Sequence, residues 1–230
     1  KVTNESLPTL YRYFKLRGRL LGIDDLRYYD VYPDLVQSDE VFSYKRSIET
    51  TIVGLAPLGD EYGELLKSYV QVDHTHVYPR KGKRSGAYMS GSAYDTAPYM
   101  LLNHNDNSNS MSTSAHEVGH ALHTILTKAN QPFEKSGYST FIAETAAIVN
   151  ELMIQDYVLE NAKNDQERLF YLGTALEQLR GTYFRQTMFA EFELAIHEEV
   201  EKGAPLTGDL LTQLYGYLLR RYHGHDEGVL

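Results

Sequence analysis

Apolar positions recur at helical spacing over most of this chain. In residues 5–22, Leu10, Phe14, Leu20 and Leu21 stand among charged positions, and Gly22 follows as a stop. That pattern predicts a helix. Further helices are predicted over 41–55, ending before Pro57-Leu58-Gly59, and over 60–70. The middle of the chain changes period. His76-Val77-Tyr78, Ala87-Tyr88-Met89 and Tyr99-Met100-Leu101-Leu102 are short β-like runs separated by Gly, Ser and Pro. From Met111 the pattern is helical again, over 112–128, 138–162, 164–200 and 206–222. The expected fold class is mainly α with a small β-sheet. No repeat, low-complexity segment or linker interrupts residues 1–230, so a single domain is expected.

Composition narrows the classes of function. The net charge of −9 and the absence of a long Lys/Arg run argue against nucleic acid as a partner. No apolar run approaches the ~20 residues that span a bilayer, and no signal-peptide core opens the chain. The expected setting is the cytoplasm, with no membrane partner. There are no cysteines, which removes disulfides, thiolate ligands and Cys nucleophiles. Any metal is therefore held by nitrogen and oxygen.

His116-Glu117-Val118-Gly119-His120 is an H-E-x-x-H sequence. It sits in a predicted helix that Ser112, Thr113 or Ser114 can cap. At ~100° per residue, Met111, Ala115, Val118, Leu122 and Ile125 share one face. His116, His120 and His123 fall on the opposite face, within about 60° of one another. One side packs and the other presents imidazoles. Two His at i and i+4 can bind one zinc ion, and Glu117, turned about 100° away, stands beside the metal as a general base. The bland alternative is a capped amphipathic helix with surface histidines.

A catalytic zinc takes three protein ligands. The metzincin pattern is excluded, because position 126 holds Leu126 and position 123 holds His123 in place of Gly. The stretch Phe141 to Met153 is apolar nearly all round, which predicts a buried helix. Glu144 and Glu151 lie seven apart within it and share a face. Buried carboxylates are costly unless paired or metal-bound. Glu144 is therefore assigned as the third ligand. Glu151 is either an acceptor for a ligand histidine's free N–H or an ordinary ion pair with Lys or Arg.

These residues resemble a known family. His116 to His123, Phe141-Ile142-Ala143-Glu144 and Asn150-Glu151 are similar to oligoendopeptidase F and its thimet-oligopeptidase relatives. So are Gly82-Lys83-Arg84-Ser85-Gly86-Ala87-Tyr88, Pro98 to Asn103, and Leu20-Leu21-Gly22-Ile23-Asp24-Asp25-Leu26. The resemblance implies a zincin-like catalytic domain, with the H-E-x-x-H helix followed by a Glu-bearing helix. It implies a zinc endopeptidase acting on short peptides, one zinc per chain on His116, His120 and Glu144, and Glu117 as general base and acid. It also implies that the N-terminal lobe and a C-terminal His- and Tyr-containing substrate segment fall outside residues 1–230. A fragment of that kind is expected to be weakly active or inactive.

Weaker signals complete the reading. His123 either touches the site or packs at its rim. Asn103-His104-Asn105-Asp106-Asn107 lacks the Gly and bidentate Glu of a calcium loop and is expected to be a polar turn. Tyr99–Asn103 is either an edge strand for an extended peptide or a plain core strand, the latter favoured. His197, His223 and His225 are candidate oxyanion donors, with solvated side chains near helix ends the simpler expectation. Two rivals remain open: a non-catalytic zinc-stabilised helical module, and a zinc hydrolase acting on a non-peptide amide.

Overall fold

Local chemistry sets the helix ends in the computed structural model, which describes residues 1–230. Helix α1 (Val2–Glu5) leads into α2 (Leu7–Leu21), which carries a proline in its first turn and closes on Gly22 at φ 68°. A left-handed residue at that position satisfies the last carbonyls, and glycine takes it without strain. Ser43 starts α3 (Tyr44–Gly54) by accepting from the Arg46 N–H. Helix α4 (Asp60–Val70) follows, then the strands β1 (Thr75–His76), β2 (Tyr88–Ser90) and β3 (Tyr99–Leu101). Asn107 caps α5 (Ser108–Asn130). The capping residue therefore lies upstream of the predicted serines, and the helix begins earlier. After α6 (Thr140–Glu160), α7 (Asp165–Gln178) passes through a π-helical turn at Leu179–Phe184 directly into α8 (Arg185–Glu201). Helix α9 (Gly208–Tyr222) is the last long element.

The chain divides into two compact units, residues 38–163 and residues 1–37 with 164–230. In the first, β3 is the central strand, parallel to β1 and antiparallel to β2. Tyr99–Leu101 is thus a core strand, and β2 is an edge. Helix α5 packs against α6, α3, β2 and β3. The face predicted to be apolar does pack: Ala115, Val118 and Leu122 are fully buried.

Helix α6 departs from expectation. It buries Ala147, Asn150 and Ile154 but leaves Phe141 81% and Ile142 47% exposed. Apolar residues all round a helix mean burial all round only where neighbours stand on every side. Here α5 and α3 cover one flank.

The other unit gathers Phe14, Leu10, Val31, Met188, Leu218 and Tyr222 into its own core. The fully buried Arg17 guanidinium is satisfied by the Asp30 carbonyl at 2.7 Å, by Glu177 at 2.8 Å and by the Pro33 carbonyl. His223 is not solvated as expected: its ring stacks on Phe14 at 5.3 Å, and burial lowers its pKa. His197 and His225 are exposed.

Candidate metal centre

Three elements of the unit 38–163 supply this centre. Helix α5 presents His116 and His120 one turn apart, with their Nε2 atoms 3.0 Å from each other. Helix α6 brings the Glu144 carboxylate to 3.5 Å from His116 Nε2 and 3.7 Å from His120 Nε2. Three donors held ~2.1 Å from one zinc ion in a tetrahedron stand about 3.4 Å apart. The observed edges bracket that length, and two nitrogens with one carboxylate oxygen suit zinc. These three are the residues whose ligand atoms could hold a metal ion together.

Glu151 lies against the other side of His116. Its Oε1 is hydrogen-bonded to His116 Nδ1, and Ser112 Oγ donates to its Oε2 at 3.3 Å. With a carboxylate as acceptor, His116 carries its proton on Nδ1 and turns the Nε2 lone pair toward His120 and Glu144. Glu151 is thus bonded to His116, one of the three candidate ligands. Burial alone would lower the His116 pKa; the Glu151 hydrogen bond and the charges of Glu151, Glu117 and Glu144 outweigh it and raise the value. Burial and the neighbouring His116 lower that of His120.

Glu117 is buried, and its Oε2 has no hydrogen-bond partner. Burial raises the Glu117 pKa, partly offset by His116 and by the nearby backbone N–H of Met89 in β2. His123 does not join the three donors. It packs against Tyr138 with ring centroids 4.4 Å apart, and burial lowers its pKa.

Two residues that place the donors were not singled out from sequence. A Cβ on Gly119 would lie 2.8 Å from Ala147 Cα and 3.0 Å from the Ala146 carbonyl oxygen. That notch lets α6 approach α5 closely. Beside it, the buried Asn150 amide donates to the Ala115 carbonyl at 3.2 Å, and Tyr62 OH donates to Asn150 Oδ1 at 3.2 Å. Together they set how far along α5 the α6 carboxylates fall. A mid-helix glycine, unfavourable by roughly 1 kcal/mol against alanine, was the available signal for Gly119. Gly119→Ala is expected to push the helices apart, costing about 1–3 kcal/mol of stability. It should also weaken metal binding, measured by chelator competition on protein shown to be folded by circular dichroism. Wild-type affinity in this variant would mean that the notch does not set the donor geometry.

A model of peptidase family M3 matches residues 1–229. The chain belongs to peptidase family M3. Oligopeptidase PepF of Bacillus subtilis is 44% identical to this M3 chain over 225 residues, covering 97% of it and 33% of that relative. Group B oligopeptidase PepB of Streptococcus agalactiae is 43% identical over 224 residues, covering 97% and 37%. The crystal structure of oligoendopeptidase F from Enterococcus faecium superposes with a TM-score of 0.59 at 29% identity, over 96% of the M3 chain and 32% of that protein. The M3 chain therefore spans about a third of the length of the curated relatives it matches. No helix in it is long and apolar enough to cross a membrane.

Proposed function

We propose that this chain carries the metal centre of a zinc-dependent endopeptidase that hydrolyses short peptides, with residues 1–230 forming part of one catalytic domain. The observation that carries this reading is the free, buried Glu117 oxygen beside a His/His/Glu donor set. A structural zinc site is closed by a fourth protein ligand and has no use for such a group. Family membership and relatives named as oligopeptidases support peptides as the substrate class.

His116, His120 and Glu144 would hold one zinc ion. Bound there, the ion acidifies water and polarises the scissile carbonyl. The chain's residues do the rest. Glu151 fixes the His116 tautomer and ring orientation. Glu117 Oε2, buried and without a hydrogen-bond partner, is free to take a proton from the attacking water and return it to the departing amine. The burial that raises the Glu117 pKa brings it toward the range in which both transfers are efficient.

The test uses the complete polypeptide and a library of unmodified peptides. We expect hydrolysis that a chelator abolishes and added zinc restores, with anomalous scattering at the zinc edge giving one ion per chain. A zinc-loaded protein that cuts no unmodified peptide would overturn the peptidase reading and favour a non-peptide amide or a binding module.

A further inference from the structure

We propose that the basic loop leading into β2 binds a carboxylate of the peptide, a few residues from the cleaved bond. The proposal rests on the peptidase reading above. Arg80, Lys81, Lys83 and Arg84 fall close together, and no acidic residue lies between Asp73 and Asp95. The loop is thus a cationic stretch in a chain of net charge −9. It overlaps the motif from Gly82 to Tyr88, to which the metal centre gives no task.

The four cations divide by what they touch. Lys83 braces the fold: its ammonium donates to the carbonyls of His76 at 3.0 Å, Tyr78 at 2.9 Å and Leu102. Its N–H closes a turn by donating to the Arg80 carbonyl at 3.1 Å. The Asn103 amide, just past β3, donates to the carbonyls of Arg84 at 3.0 Å and Gly86 at 2.7 Å. Tyr88 stands opposite Leu101 in the sheet, so Asn103 carries the link between β2 and β3 back to residue 84. These bonds fix the loop backbone. Arg80, Lys81 and Arg84 are exposed and take part in no salt bridge. The backbone order needed to present them to an anion is already in place.

Their place along the chain sets which anion they meet. Strand β2 is hydrogen-bonded to β3 on one side only, and its Met89 N–H lies near the Glu117 carboxylate. A peptide cut at Glu117 can lie along the open edge of β2. Arg84 precedes Met89 by five residues, so at ~3.3 Å per residue its backbone lies within about 17 Å of that point. A peptide extended along the same line covers that distance in about three to five residues. What it brings to the loop is its C-terminal carboxylate or an acidic side chain. Both present the same pair of oxygens, which a guanidinium fork takes bidentately.

Exposed ion pairs are weak and screened by salt, so the signature is a modest preference that fades with ionic strength. In the complete enzyme, one peptide sequence would be made as its C-terminal acid and its C-terminal amide. It would also be made with Asp or Asn at each position about three to five residues from the cleaved bond. At low salt, wild type should cut at least one anionic form about threefold or more faster in kcat/KM than its neutral partner. Added salt should shrink that advantage. The triple variant Arg80→Gln, Lys81→Gln, Arg84→Gln should bring the ratio to about one and leave the neutral peptide's kcat/KM unchanged. A response of the acid and amide pair alone identifies the terminal carboxylate, and a response of an Asp and Asn pair alone identifies a side chain. Equal rates within every pair in wild type, or an advantage that survives in the triple variant, would overturn the carboxylate site while leaving the peptidase reading intact. So would a loss shared equally by charged and neutral peptides, which would assign the loop to holding the polypeptide together. A wild-type enzyme that cuts none of these peptides would sink the peptidase reading, and this site with it.

Discussion

Glu117→Gln in the complete enzyme is expected to lower kcat about 10²–10⁴-fold while zinc content stays at the wild-type level. Gln fills the same space as Glu117. It cannot take a proton. The substitution also removes a buried carboxylate whose ionised form burial disfavours, so the folded protein should melt at or above the wild-type temperature. The pattern to look for is therefore intact metal, intact fold and lost turnover. Single-turnover hydrolysis with metal analysis on the same sample measures it. Retained turnover would show that another group moves the proton.

The second large effect concerns the third donor. Glu144→Ala leaves two imidazoles and no carboxylate within the donor set. Its loss of metal affinity should exceed the roughly 10–100-fold that removal of an outer partner costs. Glu151→Gln is the internal comparison: its carboxylate touches His116 Nδ1 on the side away from Glu144, so its effect should stay within that smaller range. Chelator competition orders the two variants. Unchanged metal content in Glu144→Ala would remove it from the ligand set.

Much of this was legible in sequence, for identifiable reasons. The H-E-x-x-H spacing is a local property of one helix, so the facing of His116 and His120 followed from 3.6 residues per turn. Glu144 and Glu151 stood out because carboxylates in an apolar stretch demand a partner; that ground holds for Glu151, whereas the Glu144 side chain is 44% exposed. The start of α5 differs because Ser108-Asn109-Ser110 reads as loop by propensity, whereas the Asn107 side chain accepts from the Ser110 N–H and caps a helix there. The π turn at 179–184 has no sequence signature, so residues 164–200 read as one regular helix. The open flank of α6, the packed His223 ring and the Gly119 notch are all set by contacts between segments distant in the chain. No local pattern encodes them.

The three donors and Glu151 all come from α5 and α6, two successive helices joined by residues 131–139. His116 and Glu151 meet across only 35 positions. The entropy lost in closing such a loop grows only with the logarithm of its length. The candidate donors therefore sit on one helical hairpin, closed across a short separation in the chain. An ion that captures the hairpin holds it with a free energy that rises with the logarithm of free metal concentration. Metal supply would then bear on whether this hairpin stays assembled.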